Sequence, residues 1–395
     1  MPFPVFRLVA FSLTFLAQMY LFARIRRVIR SSDRPDRFQS RAIGVVAAAM
    51  CLLFAMNGYI LFRHFPWVDP PMAAQVGLVY PAAVWNLGSL FSAVILLLAR
   101  GLGRLGGLVA RFHRRHATQA APAPVDAGRR RFLQAGVGGL AAAPIMFCGY
   151  GAAYAGKSYD VEELSLPFGR GLRVVQLTDI HAGIYMTRKE MRRYADQVIE
   201  LQPDLFVLTG DFISNSTSYL PGCVEEMARV PARYGTFATL GNHEHLFGRL
   251  SEVQEIFQQY RIPLLNNEHR LIQTDRAPVA VAGIDDLITG RPDLEAALNG
   301  LDPAIPTLLL SHRPEIFPQA AGRGVPLTLS GHWHGGQIKL SLPGMDLSVA
   351  HLRSPYPEGL YRINTSHLYV SRGVGTTFTP VRLNAPPEVT LFHLT

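Results

Sequence analysis

The sequence predicts a protein of two parts, a membrane region of α-helices followed by an α/β domain. Four apolar runs, each about 20 residues long, lie before Gly156. After Gly171, short β-branched runs alternate with amphipathic stretches, a pattern typical of a layered α/β domain. The charge divides in the same way, because residues 1–156 hold 17 Lys+Arg against 4 Asp+Glu, whereas residues 157–395 hold 21 against 25.

Each apolar run is long enough to cross a hydrocarbon core as a helix. We place the runs at Phe3–Ala23, Ala42–Leu61, Ala73–Ala99 and Phe132–Ala155. One such run could be a buried core helix, but four in succession indicate a membrane region. The expected organisation is three transmembrane helices in residues 1–100, a basic cytoplasmic loop in 101–131, a fourth helix in 132–155 and the α/β domain in 156–395.

Arginines between the runs predict the orientation, because positive residues in short loops stay on the cytoplasmic side. The loop after the second run holds only Arg63, whereas the first and third loops hold seven arginines each. Those of the first loop are Arg24, Arg26, Arg27, Arg30, Arg34, Arg37 and Arg41, and those of the third are Arg104, Arg111, Arg114, Arg115, Arg129, Arg130 and Arg131. In a bacterium we therefore expect a multi-pass inner-membrane protein with an extracytoplasmic C-terminal domain.

The segment before the fourth run has two interpretations. Arg129-Arg130-Arg131-Phe132-Leu133-Gln134 resembles a twin-arginine export signature, and Ala153-Tyr154-Ala155 resembles a cleavage site. Alternatively, the arginines are a positive-inside anchor on a helix rich in Ala and Gly. Because three helices precede it, we expect the fourth to remain uncleaved.

Charge and cysteine content exclude other classes of protein. The formal net charge of +9 could indicate nucleic-acid binding, but the positive charge lies between the apolar runs. The C-terminal part has an excess of acidic residues and shows no basic stripe, so we expect no nucleic-acid partner. Cys223 is the only cysteine of that part, so no disulfide can form within it and the redox compartment stays undecided.

Residues that can bind metal follow five of the six predicted strands of the C-terminal part. The strands are Arg173–Leu177, Leu205–Thr209, Thr236–Leu240, Val279–Ala282, Thr307–Ser311 and Leu327–Ser330. The motifs are Asp179-Ile180-His181, Gly210-Asp211, Gly241-Asn242-His243-Glu244, Ser311-His312 and Gly331-His332-Trp333-His334. Sheets of α/β domains build their sites at the carboxyl ends of strands. In extended backbone, residues two apart point the same way, so we expect Asp179 to converge with His181 and His332 with His334.

The side chains of these motifs indicate a metal centre. A single Asp or Asn after a strand usually caps a turn or a helix, but repetition after five strands is hard to obtain by chance. Carboxylates, imidazoles and one amide, without thiolates, suit two Mn, Fe, Zn or Co ions better than a structural zinc. Two cations about 3.5–4 Å apart can hold a hydroxide and clamp a phosphoryl group. A carboxylate is the natural bridge, because its two oxygens can serve both cations.

The motifs D-x-H, G-D, G-N-H-E, a lone His and G-H-x-H resemble, in order, those of the calcineurin-like metallophosphoesterase superfamily, in particular its membrane-attached bacterial YkuE-like phosphodiesterase branch. The resemblance covers residues 170–395 and implies a four-layer α/β fold, a β-sandwich flanked by helices. It also implies which residues bind the two metals. The first metal would be held by Asp179, His181, Asp211 and His334, and the second by Asp211, Asn242, His312 and His332.

The resemblance further implies that His243 is not a ligand but points into the site, where it protonates the leaving oxygen or stabilises charge on the phosphoryl group. Histidine is also the side chain most often used as a general acid at neutral pH. The implied chemistry is direct attack by a metal-bridging hydroxide, without a covalent intermediate.

Several neighbouring residues are expected to be structural. Trp333 stands where the family more often has a small polar residue, and packing against the sheet is favoured over lining the substrate entrance. Residues 244–245 are assigned to a loop and helix start, and residues 285–286 to a turn. For Arg382 a salt bridge is favoured over contact with a phosphate.

Together these observations predict a binuclear hydrolase of phosphomono- or phosphodiesters, acting on an envelope or lipid-linked substrate. One alternative is a non-hydrolytic membrane sensor or scaffold that retains the fold, although the complete ligand set argues against it. A second alternative keeps the enzyme but places its domain in the cytoplasm, which the arginine-rich loops argue against.

Overall fold

The computed structural model describes residues 3–62, 71–114, 127–155 and 158–395. The chain forms two compact units, one ending at Ala152 and one that includes Ala153–Thr395. Each is described by itself.

Helices make up the first unit in the residues that the structure describes. They are α1 (Phe3–Arg30), α2 (Asp36–Phe62), the single turn α3 (Met72–Ala74), α4 (Tyr80–Arg114) and α5 (Ala127–Ala155), with a π-helical turn at Gln75–Val79. Four stretches are long and apolar enough to span a membrane: Leu8–Arg30, Asp36–Gly58, Val76–Val109 and Ala135–Ala153. The prediction of four apolar helices is confirmed. Residues 101–114 and 127–131, expected in a loop, are helical, and 115–126 lie outside the described residues.

Polar and small residues join these helices where their backbones approach. Gln18 of α1 donates to the Asn86 side-chain oxygen of α4 at 2.9 Å, and Ser92 of α4 donates to the Ala141 carbonyl of α5 at 2.6 Å. A Cβ at Gly88 would lie 2.9 Å from Ile145, so only glycine permits this approach. Such contacts are typical of helices packed in lipid, where burial of apolar side chains provides little driving force.

The second unit alternates strands and helices. Its strands are β1 (Asp160–Leu166), β2 (Leu172–Leu177), β3 (Leu205–Thr209), β4 (Thr236–Thr239), β5 (Glu268–Ile272), β6 (Val279–Gly283), β7 (Thr307–Leu310), β8 (Leu327–Ser330), β9 (Leu340–Leu342), β10 (Met345–Leu347), β11 (Gly359–Ile363), β12 (Ser366–Val370) and β13 (Glu388–Leu394). Its helices are α6 (Arg188–Glu200), α7 (Leu220–Met227), α8 (Asn242–Phe247), α9 (Leu250–Gln259), α10 (Leu294–Leu298), α11 (Phe317–Gly322) and α12 (Val349–Arg353). The six predicted strands are confirmed as β2, β3, β4, β6, β7 and β8.

Two mixed sheets form the centre of this unit. One has the order β1-β13-β2-β3-β4 and the other β11-β12-β8-β7-β6-β5. Strands β2, β3 and β4 run parallel in the first sheet, and β6, β7 and β8 run parallel in the second. The motif-bearing strands therefore end on a common edge of each sheet.

Alternate residues of the central strands serve two different cores. Val207 of β3 packs between the two sheets, whereas its neighbour Leu208 packs under helices α6, α7 and α9. In the second sheet, Leu308 faces the other sheet and Leu309 packs with α10 and α11. Burial on both faces explains why these strands are continuous apolar runs. The resulting order of helices, sheet, sheet and helices confirms the expected four-layer α/β fold.

Candidate metal centre

The motifs leave their strands through unusual backbone turns. Five candidate ligands adopt left-handed conformations, with φ of 53° at Asp179, 50° at His181, 54° at Asp211, 74° at His332 and 52° at His334. The expectation that Asp179 and His181, and His332 and His334, converge through extended backbone is therefore wrong. Left-handed non-glycine residues cost about 1–3 kcal/mol each and persist where the surrounding structure enforces them, typically at functional sites.

Hydrogen bonds enforce these turns and orient the Asp179 carboxylate. Its Oδ2 accepts from the Thr178 hydroxyl at 2.8 Å and from the His332 backbone N–H at 2.9 Å. Its Oδ1 faces His334 Nε2 at 3.2 Å. The backbone N–H of His181 donates to the Asp211 carbonyl at 2.9 Å, which ties the turn after β2 to the turn after β3.

Three of the predicted ligands, Asp179, His181 and His334, form what we call the Asp179 half of the centre. The Nε2 atoms of His181 and His334 face each other at 3.1 Å. Burial lowers the pKa of His181 to about 4, so its ring is neutral near pH 7, and its buried Nδ1 has no partner among the described residues. The imidazole nitrogens of His181 and His334 and the Asp179 carboxylate therefore converge on one space.

Three others, Asn242, His312 and His332, form the Asn242 half. The Thr209 carbonyl lies 2.8 Å from His312 Nδ1 and directs Nε2 inward, where it lies 3.2 Å from His332 Nδ1. His332 therefore does not join His334, because the two side chains of the G-H-x-H motif enter different halves. Asn242 is the first residue of α8, and its Oδ1 faces this half beside Arg313.

Asp211 lies between the two halves. Its Oδ1 accepts from the His243 backbone N–H at 2.9 Å. Its Oδ2 lies 3.5 Å from His181 Nε2 and 3.2 Å from His312 Nε2. A single oxygen of Asp211 therefore faces both halves.

Electrostatics couple Asp211 to His312. Burial alone would lower the pKa of His312, but the nearby Asp211 carboxylate outweighs burial and raises that pKa to about 10. Burial also opposes ionisation of Asp211, yet the His312 and His243 rings hold its pKa well below the ordinary value. A proton on His312 thus offsets part of the negative charge of Asp211, as a bound cation would.

The chemistry and packing of the cluster fit divalent cations. Buried carboxylate oxygens and imidazole nitrogens converge, and one of the rings, His181, is held neutral as a ligand requires. Glycines allow the close packing, since a Cβ at Gly331 would collide with Asp179 and a Cβ at Gly241 would collide with Asp211. The donor set contains no thiolate, which suits Mn, Fe, Zn or Co in a catalytic site.

His243, the predicted catalytic residue, faces the same space. Its Nδ1 lies 2.7 Å from the Ser214 carbonyl, to which it donates, and this contact directs Nε2 toward Asp211 Oδ2 at 3.9 Å. The ring packs edge-on against His181, with centroids 4.5 Å apart. The side chain is therefore oriented toward the centre from α8.

Sequence reasoning missed the role of Glu244. This buried carboxylate accepts backbone N–H groups from Gly241, Asp211, Phe212 and Ile213 and so holds the turn after β3 against the start of α8. Its position three residues after Gly241, at the start of a helix, is the spacing of a helix-capping acceptor and could have indicated it.

Arg313 was also missed. Its guanidinium lies 2.6 Å from His332 Nε2 and 3.3 Å from Asn242 Oδ1, and its Nε donates to Asp286 at 2.8 Å. Asp286 does cap a turn, at Thr289, but it also anchors this arginine. The signal in the sequence is a cationic residue directly after the lone His motif.

Asp285 forms an ion pair rather than only a turn. It pairs with His245 at 2.6 Å, which raises the pKa of His245 above its ordinary value. Both line a cavity of about 560 Å³, with Leu250, Asn266, Asn267, Thr289, Gly290 and Arg291.

Trp333 packs edge-on against the His332 ring, with centroids 4.8 Å apart, and donates to Glu315 at 2.9 Å. The expectation for Arg382 needs correction. Arg382 forms no salt bridge that the described residues show. It is buried and donates to the carbonyls of Gly375 and Ala385, and its Nη2 lies 3.1 Å from His334 Nδ1.

Comparison with known proteins agrees with this geometry. Residues 172–336 match the family model described as calcineurin-like phosphoesterase. The chain is 31% identical over 279 residues to the uncharacterized metallophosphoesterase YkuE of Bacillus subtilis (strain 168). This alignment covers 67% of this chain and 97% of YkuE. It is 31% identical to a Danio rerio transmembrane protein with metallophosphoesterase domain, covering 61% of this chain and 58% of that protein.

Among solved structures, TT1561 of Thermus thermophilus superimposes with a TM-score of 0.35 at 11% identity, over 51% of this chain and 90% of that one. The sequence relatives establish the family, because the likeness extends over nearly the whole of YkuE. The chain therefore belongs to the calcineurin-like phosphoesterase family, as a membrane protein whose C-terminal domain is a metal-dependent phosphoesterase.

Proposed function

We propose that the C-terminal domain hydrolyses phosphomono- or phosphodiesters with two divalent cations. The observation that carries this proposal is Asp211 Oδ2, which faces both halves of one buried cluster. Asp179, His181, Asp211 and His334 would hold the first cation, and Asp211, Asn242, His312 and His332 the second. When bound, the cations would supply the attacking hydroxide and neutralise charge on the phosphoryl oxygens.

The side chains around the cations have separate roles in this proposal. The Ser214 carbonyl accepts from Nδ1–H of His243, which leaves Nε2 facing the centre; as an imidazolium, the ring donates its Nε2 proton to the leaving oxygen and keeps the Nδ1 proton. Glu244 keeps the Asp211 turn in place through four backbone N–H groups. Arg313 faces the Asn242 half with donors that fit phosphoryl oxygens.

We further propose that the domain lies outside the cytoplasm of a bacterial inner membrane and acts on an envelope or lipid-linked phosphoester. The arginine-rich first and third loops support this orientation. A reporter that works only in the periplasm should be active when fused after Thr395. A reporter that works only in the cytoplasm should be inactive at the same position. The reverse pattern would place the domain inside the cell.

Hydrolysis is tested on the full-length chain in detergent. After chelation, addition of Mn²⁺, Fe²⁺, Zn²⁺ or Co²⁺ should restore cleavage of bis-p-nitrophenyl phosphate or of the monoester, and Asp211→Asn should abolish it. Asp196→Asn, an exposed aspartate on α6, is the matched control and should cleave normally. Absence of turnover with every cation would favour the sensor or scaffold instead.

A further inference from the structure

A short hairpin that follows the G-H-x-H motif exposes an apolar face. Strands β9 and β10 pair Leu340 with Leu347 and Leu342 with Met345. Residues directly opposite each other in an antiparallel pair, and residues two apart along a strand, lie on the same face. All four side chains therefore share one face, and they are 55%, 39%, 43% and 55% exposed, respectively. We call residues 340–347 the apolar hairpin.

The other face of the apolar hairpin is polar. Ser341 is paired with Asp346, and Asp346 forms an ion pair with Lys339 at 3.3 Å. Lys339 is only 11% exposed and also contacts Glu358. Four exposed apolar side chains on one face of a hairpin form a contiguous apolar patch, which is unusual at an aqueous surface.

The helix that follows extends the apolar surface. Val349 and Leu352 of α12 lie three residues apart on one side of the helix, and both are exposed. Arg353 ends the helix as an exposed cation with no ion pair among the described residues. Apolar side chains with a basic residue beside them are typical of surfaces that bind lipid headgroups and acyl chains.

This surface is connected to the metal centre. Gln337, which precedes the apolar hairpin, donates to the carbonyls of Thr377 at 3.2 Å and Thr379 at 2.9 Å. The Thr377 hydroxyl lies 3.0 Å from His334 Nε2. Phe378, between the two threonines, is exposed. One hydrogen-bonded segment thus joins the Asp179 half to the apolar surface.

We propose that the apolar hairpin and α12 insert into the interface of the lipid bilayer in which the chain is anchored. The chain itself argues for this partner, because only residues 156–159 join α5 to β1, so the five Cα–Cα steps from Ala155 to Asp160 can span at most about 18 Å. Arg353 complements an anionic headgroup. The insertion brings the metal centre to the level of lipid headgroups and thereby selects membrane phosphoesters as substrates, a consequence that rests on the proposed function.

The test uses the full-length chain in nanodiscs of phosphatidylethanolamine and phosphatidylglycerol. In a Cys51→Ser background, in which both remaining cysteines are buried, bimane is attached to Met345→Cys or, as the matched control from the polar face, to Ser341→Cys. Nitroxide on lipid acyl chains should quench bimane at position 345 several-fold more strongly than at position 341. Aqueous iodide should show the opposite order.

Equal iodide quenching at both positions would overturn the proposal. Protection of position 345 from both quenchers, with cross-linked dimers formed in detergent, would also overturn it and assign the surface to a second copy of the chain. Because quenching requires no turnover, a failure here is distinguishable from a failure of the proposed hydrolysis.

Discussion

The two halves of the metal centre differ in charge and in their neighbours. The Asp179 half has a carboxylate of its own in addition to the shared Asp211, and its arginine, Arg382, is buried and fixed by backbone carbonyls. The Asn242 half has an amide in the corresponding place. Its arginine, Arg313, is held by the Asp286 carboxylate. In the proposed function, the Asp179 half would therefore retain a cation more tightly, whereas the Asn242 half would combine a weaker cation site with an arginine able to reach substrate.

Removal of the shared carboxylate should have the largest effect, because it damages both halves. In Asp211→Asn, turnover of bis-p-nitrophenyl phosphate should fall on the order of 10³-fold or more, which corresponds to the loss of several kcal/mol of charge stabilisation. Bound Mn²⁺ measured by elemental analysis should fall below two per chain. Normal turnover by this variant would refute the role of Asp211.

Replacement of His243 removes no proposed metal ligand from either half. His243→Gln should lower turnover about 10²-fold, because general acid catalysis is lost, while the bound Mn²⁺ per chain stays unchanged. A p-nitrophenolate leaving group needs little protonation, so the loss should be larger with a methyl phosphodiester of higher leaving-group pKa. Equal losses with both substrates would argue against His243 as the acid.

The contrast between the halves is measured by one variant in each. Asp179→Asn should weaken Mn²⁺ binding about 100-fold in its half, and Asn242→Ala should weaken binding about tenfold in the other, since a charged ligand contributes more than an amide. Calorimetric titration of the full-length chain resolves the two affinities. The reverse order of losses would contradict the comparison.

Protons compete with the cation in the Asn242 half. The Asp211 carboxylate raises the pKa of His312 to about 10, so this ring is protonated at neutral pH and has to lose its proton to solvent before it can bind a cation. Mn²⁺ affinity in this half should therefore rise by up to about tenfold per unit as the pH increases from 6 to 9. Affinity that is constant over this range would exclude the competition.

The smallest effect is expected at Arg313. Arg313→Gln should tighten Mn²⁺ binding a few-fold in the Asn242 half, because a neighbouring positive charge is removed. The same variant should raise KM for the phosphoester while the Asp179 half keeps its affinity. Arg270→Gln, which removes an exposed arginine of β5, serves as the control. Unchanged KM and unchanged cation affinity in Arg313→Gln would leave the arginine without a role.

The sequence predicted the central strands well because each is a continuous apolar run buried on both faces. It missed β1, an edge strand in which Val161, Glu163 and Ser165 are all exposed, because its mixed apolar, polar and charged residues do not form a continuous apolar run. The motifs indicated the side chains of the centre but not the turns that orient them. Arg313 and Thr377 escaped prediction because their contacts join segments distant in sequence, which neither periodicity nor spacing reveals. The spacing of Glu244 after Gly241 indicates a helix cap, but it does not reveal the contacts of Glu244 with the turn after β3.

The central claim, one centre of two cation sites that share Asp211, is tested most directly by counting cations against activity. Mn²⁺ is added stepwise to the chelator-treated full-length chain, and bound Mn²⁺ and phosphodiester turnover are measured on the same samples. We expect two Mn²⁺ to bind per chain, and turnover to rise as the second Mn²⁺ binds. Full turnover with one Mn²⁺ per chain, or none with two, would contradict it.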